Sequence, residues 1–469
     1  MTTVAIHTLG CPKNITDSRH LAEKLAAEGI AVIDDQEKAE ILLVNTCGFI
    51  QEAKEESIEE ILKFSQAKKP EQTLVVFGCL AQRYRTELKK EIPEIAAIFG
   101  VGESDAIVSY CRTHAVPAEV SAVGAGTAQL YEELRHSALW QPSYTYLKIS
   151  DGCNKRCTFC IIPAIRGKFH SLPSGPIIDE AREFVGRGAK ELILVAQDIS
   201  SYGREFRDYG LTDLLRELVA IPGDFRIRLL YLYPTEISEE LLAFVAAEEK
   251  ILKYLDIPFQ HSEDRILRAM GRRGTRKDYI KLIRTIRRMI PGVTLRTSFI
   301  VGFPGETEQD FQGMVDFIEE SRFDRLGVFK YSREEGTAAA KLPGQVTQKT
   351  KDRRFDEIMK RQALISLEKN RELVGKRMRA VVDEVDDEVI IARLDSQAPE
   401  IDGVVIIERP KRKGHGSSDG KRVQKPTLPS GKLLKLASTE LRAGSVIDIS
   451  ITGAFDYDLQ GELAAVLSL

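Results

Sequence analysis

Tryptophan and cysteine are scarce in this chain, with one Trp and seven Cys among 469 residues, and neither sign of charge prevails, since 67 basic residues meet 70 acidic ones for a net charge of −3. That balance excludes a whole-molecule field of the kind that steers proteins onto nucleic acid, so any contact with a polyanion must be local. No apolar run approaches the ~20 residues that a membrane-spanning helix needs. The start, Met1-Thr2-Thr3-Val4, carries no basic-then-apolar leader. The expected location is the cytoplasm, where thiols stay reduced and few cysteines are spent on disulfides. The 43% hydrophobic content is ordinary for globular proteins, and the length suits about three domains at ~150 residues each.

The few cysteines present are placed unevenly. Cys153, Cys157 and Cys160 stand as Cys-Asn-Lys-Arg-Cys-Thr-Phe-Cys, three thiols that can fix three irons of a cubane cluster and leave the fourth open to a ligand. Zinc is the competing reading, with His170 as a fourth ligand, although zinc sites favour paired CxxC spacing.

Three more cysteines follow short apolar runs. Val4-Ala5-Ile6 leads to Cys11, Ile41-Leu42-Leu43-Val44 to Cys47, and Leu74-Val75-Val76-Phe77 to Cys79. Such runs read as strands buried on both faces of a parallel sheet, and helical faces such as Ser18, Leu21, Ala22 and Leu25 follow them. In a βα sheet all carboxyl ends lie along one edge, where ligands bind, so Cys11, Cys47 and Cys79 are expected to converge as a second three-thiol site. Three unrelated buried cysteines are the alternative. Glycines beside them, Gly10, Gly48 and Gly78, allow close backbone approach. Cys111 falls on a helical stripe with Ile107 and Val108 and reads as core.

A second series of buried strands spans 144–149, 191–196, 226–231, 254–257, 295–301 and 326–331, separated in most cases by helical patterns such as Phe311, Met314, Val315 and Ile318. Six βα units suggest an open parallel barrel with the CxxxCxxC loop after its first strand, at the carboxyl-end mouth. Gln197 and Asp198, Gln260 and His261, and Gly302-Phe303-Pro304-Gly305-Glu306-Thr307 fall at the same mouth. The last segment is expected to turn against a ligand with backbone amides at the following helix start, though such turns are also Gly/Pro-rich for structural reasons, and His261 also suits a hydrogen-bonded core position.

With these residues in view the chain resembles the radical S-adenosylmethionine superfamily and, through Gly10-Cys11-Pro12-Lys13-Asn14, Asn45-Thr46-Cys47-Gly48 and Gly78-Cys79, the methylthiotransferases within it. The resemblance implies an α/β chain of three parts: an amino-terminal parallel α/β cluster domain at 1–120, a connector at 121–143, and a partial (β/α)6 radical barrel with a carboxy-terminal helix at 144–370. A small antiparallel β-barrel, TRAM, would follow at 371–469. It also implies two 4Fe-4S clusters with three Cys ligands each. The cluster at Cys153, Cys157 and Cys160 would reduce S-adenosylmethionine to give a 5′-deoxyadenosyl radical. The one at Cys11, Cys47 and Cys79 would hold or deliver sulfur, and a second S-adenosylmethionine would give the methyl group. Phe159 matches the family's aromatic position near the adenine. Gln197, Asp198, Gln260, Gly302, Gly305 and Glu306 are the other candidates for S-adenosylmethionine contact. An external electron donor and a sulfur source are implied partners.

Substrate choice within the family rests on further residues. Transfer-RNA adenosine enzymes usually carry Gly-Cys-Gln-Met-Asn where this chain has Gly10-Cys11-Pro12-Lys13-Asn14. The latter form, with Ile15-Thr16-Asp17-Ser18, Ala398-Pro399-Glu400-Ile401-Asp402-Gly403 and Asp456-Tyr457-Asp458-Leu459, is similar to the branch that modifies the β-carbon of an aspartate in the twelfth small-subunit ribosomal protein. Residues 379–408 hold nine acidic side chains against two basic ones. An acidic face would repel phosphate and attract a basic ribosomal protein, although acidic runs are also ordinary solvated surface. Two features depart from the family pattern. A basic Pro/Gly/Ser-rich loop at 409–436 sits inside the TRAM segment and reads as flexible, able to touch ribosomal RNA. Leu172-Pro173 also replaces the usual Arg-Pro after the radical loop.

Overall fold

The computed structural model describes residues 2–114, 142–409 and 441–469. Most of the 121–143 connector and, apart from Arg409, the basic loop at 409–436 lie outside the described residues. Among the described residues no helix is long and apolar enough to cross a membrane.

The amino-terminal unit is a five-stranded parallel sheet of β1 (Thr3–Thr8), β2 (Ala31–Val32), β3 (Ile41–Thr46), β4 (Thr73–Gly78) and β5 (Ile95–Phe99), in the order β2-β1-β3-β4-β5. Helices α1 (Pro12–Ala27), α2 (Gln51–Ala67), α3 (Cys79–Glu91) and α4 (Ser104–Thr113) cover its two faces. The three expected strands occupy the centre. β2 and β5 extend the sheet because a two-residue strand and the alanine-rich Ile95-Ala96-Ala97 carry almost no periodic signal. Ser18, Leu21, Ala22 and Leu25 form the buried face of α1, and Cys111 is fully buried in α4. Burial alone pushes the Cys111 thiol up to about 12, as expected of a core residue.

The central unit is an all-parallel sheet in the order β13-β12-β11-β10-β9-β6. Its strands are β6 (Thr145–Lys148), β9 (Glu191–Val195), β10 (Arg226–Leu229), β11 (Ile251–Asp256), β12 (Thr294–Val301) and β13 (Arg325–Lys330). A two-stranded ribbon, β7 (Ser150–Asp151) with β8 (His170–Ser171), brackets the CxxxCxxC loop. Around the arc run α5 (Ile162–Arg166), α6 (Ser174–Gly186), α7 (Leu211–Val219), α8 (Glu239–Ala247), α9 (Asp264–Ala269), α10 (Arg276–Met289), α11 (Glu308–Ser321) and the long α12 (Gln348–Arg371). The outward strand residues and the helices share one large core, which includes Phe311, Met314, Val315 and Ile318. Leu172 packs against that core, and its carbonyl accepts from Tyr202.

The carboxy-terminal unit is a closed five-stranded barrel of β14 (Arg377–Val385), β15 (Val389–Leu394), β16 (Val405–Glu408), β17 (Val446–Ala454) and β18 (Leu459–Ser468). It is not wholly antiparallel as expected, because β16 and β18 run parallel. The cause is parity: an odd number of strands cannot close with every neighbour antiparallel.

This barrel is anchored to the central arc by its β15–β16 loop. Arg228 of β10, with no exposed surface, pairs with Glu191 of β9 at 2.5 Å and donates to the carbonyls of Asp395 and Gln397. Arg393 of β15 reaches the same Glu191 at 3.1 Å and Asp383 at 2.5 Å. Glu400 accepts from the hydroxyls of Tyr144 and Tyr146, and Asp402 from Tyr254. Ala398 packs with Tyr146, Ile193, Val195 and Tyr254 on the inner face of the arc. Three of the nine acidic residues of 379–408 thus serve internal contacts, and the solvent-facing acidity gathers mainly at the β14–β15 turn, with Asp395 and the edge of Glu400 also exposed in the β15–β16 loop.

Glu191→Ala would leave two buried guanidiniums without their shared carboxylate, at a cost of about 3 kcal/mol or more. The expected outcome is a thermal midpoint lowered by several degrees, with amide exchange in 393–402 rising first. Unchanged exchange there would mean that apolar packing alone holds the barrel.

Candidate functional site

β1, β3 and β4 are immediate neighbours, so the residues that follow them meet at one edge. Cys11 caps α1, Cys47 precedes α2, and Cys79 is the first residue of α3. Helix amino termini suit thiolates, which gain from the amide dipoles. The approach is close: a Cβ on Gly10, whose φ is +91°, would lie 2.6 Å from Cys47 Cβ and 3.0 Å from its Sγ, and one on Gly48 would lie 2.8 Å from Leu80 Cα. Ser57 clamps Cys47 by accepting from its amide and donating to its carbonyl. Asn14 donates to the carbonyls of Leu9 and Thr46, fixing the loops before Cys11 and Cys47 in one frame. Burial and then the neighbouring Cys11 push the Cys47 thiol up to about 12, with Cys79 adding to the rise. Thiolates this close repel one another, so binding of a cationic centre is what stabilises their deprotonated forms together.

The second trio is held by the loop between β7 and α5. The Cys153 amide donates to Gly167, and the Cys160 amide to Cys157. Thr158 is bracketed by Met270, Ala269 and Ala339 through its amide, hydroxyl and carbonyl. The loop lines a pocket of about 510 Å³ with Gly336, Thr337 and Ala338 opposite. Burial pushes the Cys160 thiol up to about 12 and raises that of Cys153. The Arg272 guanidinium, 4.4 Å from the Tyr233 ring, lies against Cys157. His170 is exposed, with Nδ1 at 3.4 Å from the Lys168 carbonyl. Among the described residues no three His, Cys, Asp or Glu are arranged to chelate a single ion. A cubane instead spreads its thiolates over separate irons.

The two trios are joined by residues that follow the second. Ile161 and Ile165 pack directly on Cys79. Arg166 of α5 crosses between the domains, donating to Cys79 Sγ at 3.5 Å, Asn14 Oδ1 at 2.9 Å, Asp17 at 2.9 Å and Asp151 at 3.2 Å. Lys148 closes the network on Asp17 at 2.8 Å and Asp151 at 2.5 Å. Burial opposes ionisation of Asp151, but Lys148 and Arg166 prevail and hold its carboxyl at about 2. A second clamp lies behind the pocket, where buried Glu334 receives Lys54 at 2.8 Å and Arg83 at 3.0 Å. Arg166 and Glu334 were not singled out from sequence, because their partners are remote along the chain.

The remaining candidates lie around the mouth in different states. Phe159 packs with Met270, Ile300, Phe303 and Tyr331. Both amide atoms of Gln197 are buried without a partner among the described residues. Asp198 is engaged by Ser200 and Ser201, with Lys155 at 3.4 Å. Gln260, at φ +72°, splices its backbone to Ser298 and Ile300 of β12. His261 is fully buried, accepting from the Glu263 amide and lying 3.6 Å from Glu306. The Gly302–Glu306 turn closes on itself: Glu306 accepts from the amides of Gly302 and Phe303 and pairs with Arg354 at 2.6 Å, and Gly305 donates to Gly344. The Gly302 and Phe303 amides, read from sequence as part of a ligand-binding turn, are therefore satisfied by Glu306.

A parallel arc with three cysteines at its mouth, under an α/β domain that presents three more, defines the class as a radical S-adenosylmethionine enzyme. Residues 147–318 match the Radical SAM superfamily, 3–100 the Uncharacterized protein family UPF0004, and 374–425 the TRAM domain. Among solved structures, the radical S-adenosylmethionine methyltransferase TsrM from Kitasatospora setae shares the fold with a TM-score of 0.53 at 16% identity, over 72% of this chain and 74% of that one. The ribosomal protein uS12 methylthiotransferase RimO of Thermodesulfovibrio yellowstonii is 50% identical over 98% of this chain and 99% of its own length. RimO of Desulforamulus reducens is 41% identical over 99% and 100%. The chain belongs to the RimO methylthiotransferase family, and with it uses S-adenosylmethionine and iron–sulfur chemistry.

Arg166→Leu would leave Asp17 and Asp151 to share Lys148 alone in a partly buried seam, and would strip Asn14 and Cys79 of their donor, at a cost of about 3 kcal/mol. Amide exchange in α1 and α5 is expected to rise together while the carboxy-terminal barrel is unaffected. Retained protection in both helices would show that the domains stay docked without this guanidinium.

Proposed function

We propose that the protein inserts a methylthio group at the β-carbon of an aspartate in ribosomal protein uS12, with one 4Fe-4S cluster at Cys153, Cys157 and Cys160 and a second at Cys11, Cys47 and Cys79. The observation that carries this reading is the apposition of the two trios through Arg166, Ile161 and Ile165. When bound, the clusters and S-adenosylmethionine supply the radical, the sulfur and the methyl group, chemistry beyond any side-chain acid or base. The chain's own residues hold and orient. Thr158 and Arg272 fix the radical loop, Phe159 and Gln197 face the S-adenosylmethionine pocket, and Asp198 and Gln260 shape its rim. Gly302, Gly305 and Glu306 form a rigid wall behind it. Ile161 and Ile165 keep water from the space between the trios, which protects a reactive carbon-centred species. The enzyme works in the cytoplasm with an external electron donor and a sulfur source, on a basic ribosomal protein to which the acidic β14–β15 turn is complementary.

Anaerobic reconstitution should give about eight irons per chain, and about four would leave a single cluster. Cys157→Ala is expected to abolish cleavage of S-adenosylmethionine. Cys47→Ala is expected to retain cleavage but lose sulfur insertion, and full methylthio product from that variant without added sulfide would refute the second-cluster role. Incubation with uS12 and with transfer RNA, read by mass spectrometry, should give methylthio product on the protein. Product on RNA alone would assign the enzyme to adenosine instead.

A further inference from the structure

Buried cations around this site are matched with acids or, failing that, with a carbonyl or thiol acceptor: Arg272 leans on Cys157 and the Pro258 carbonyl, and Lys351 donates to the Tyr331 carbonyl. Lys148 and Arg166 share Asp17 and Asp151, and Lys155 has Glu236 at 2.8 Å and Asp198 at 3.4 Å. Lys13, only 9% exposed, has neither a hydrogen bond nor a paired carboxylate among the described residues. Its ammonium rests 3.9 Å from the centre of the Tyr231 ring. Tyr231 follows β10 at the barrel mouth, with φ +63°, its amide tied to Asp256 and its carbonyl to Ile199. The neighbouring strand, β9, is followed two residues on by Gln197, whose buried amide is also without a partner among the described residues. An ammonium removed from water without a carboxylate in hydrogen-bonding reach is costly, and here it stands two residues beyond Cys11, on the side of the mouth that the amino-terminal trio covers, with Asp151 and the Cys11 thiol as its more distant acidic neighbours.

We propose that Lys13 is a specificity-determining residue that binds the side-chain carboxylate of the substrate aspartate, in the gap between the two trios. The inference rests on the functional reading above and names how that site selects its substrate. In aspartate the carboxylate is bonded directly to the β-carbon, so a fixed cation that holds the carboxylate also fixes the carbon to be functionalised. An adenine ring offers no anionic group to pair with this charge.

The test uses reconstituted full-length enzyme with S-adenosylmethionine and two fluorescent peptides spanning the modified position of uS12, one with the native aspartate and one with asparagine. Binding is read by anisotropy, and iron content is measured for each protein. The wild type is expected to favour the aspartate peptide. Lys13→Met should weaken aspartate binding on the order of 30-fold while changing asparagine binding little, so that the preference collapses, and Lys13→Arg should keep it. A wild type without preference, a Lys13→Met protein with the wild-type ratio, or an equal loss on both peptides with or without loss of iron would each overturn the assignment. Methylthio product on uS12 from the wild type separates the two ideas. If it forms while the ratio is insensitive to Lys13, only the Lys13 role fails, and if it never forms, the functional reading itself is wrong.

Discussion

The guanidinium of Arg166 sets the distance between the two halves of the site. Among the described residues it is the one side chain that donates to a thiol of the amino-terminal trio, to the asparagine that frames that trio, and to the aspartate beside the radical loop. Arginine suits the role because its planar fork reaches several acceptors at once and stays charged when buried. A lysine would serve one acceptor at a time. Since α5 begins one residue after Ile161, itself next to Cys160, any shift of the radical loop moves Arg166 and with it the contact to Cys79. Alignment of the trios is thus built into a short stretch of chain instead of being left to domain docking at large.

The opposite end of the arc is closed by a different means. An open parallel barrel leaves an inner face with polar groups that need partners, and the β15–β16 loop supplies them: backbone carbonyls for Arg228, carboxylates for Tyr144, Tyr146 and Tyr254, and Ala398 for the apolar patch. Glu400 takes a left-handed backbone, φ +65°, in doing so. That conformation costs a non-glycine residue energy, and the two tyrosine hydroxyls offset it. The carboxy-terminal barrel therefore acts as a stopper for the arc.

Sequence patterns reveal whatever repeats locally. The six cluster candidates were legible because each occupies a fixed place, either after a buried strand or within one loop, and the topology of a parallel sheet converts that place into proximity. Cys111 was separable from them because it falls on a helical stripe. Arg166, Glu334 and the Glu191–Arg393 pair were not legible, since their partners lie far off in sequence and no spacing rule connects them. The Ala398–Gly403 stretch was noticed as a family mark, but its work inside the arc follows only from three-dimensional packing. The self-closure of the Gly302–Glu306 turn is not legible in the sequence, where Glu306 reads as a candidate for S-adenosylmethionine contact, because only the fold shows its carboxylate turning back to the amides of Gly302 and Phe303.

Asn14 shows how tightly framing and docking are coupled. Its amide nitrogen holds the Leu9 and Thr46 carbonyls, which set the positions of Cys11 and Cys47, while its amide oxygen receives Arg166. A side chain with a donor at one end and an acceptor at the other is needed, so aspartate, which has no donor when ionised, would release the two carbonyls and place a third carboxylate beside Asp17 and Asp151. Lys13 is the residue immediately before Asn14 on the first turn of α1, and its unpaired ammonium is held in place by the same frame. The same few residues therefore align two cysteines of the amino-terminal trio, receive the guanidinium that docks the domains, and hold the Lys13 ammonium over the Tyr231 ring.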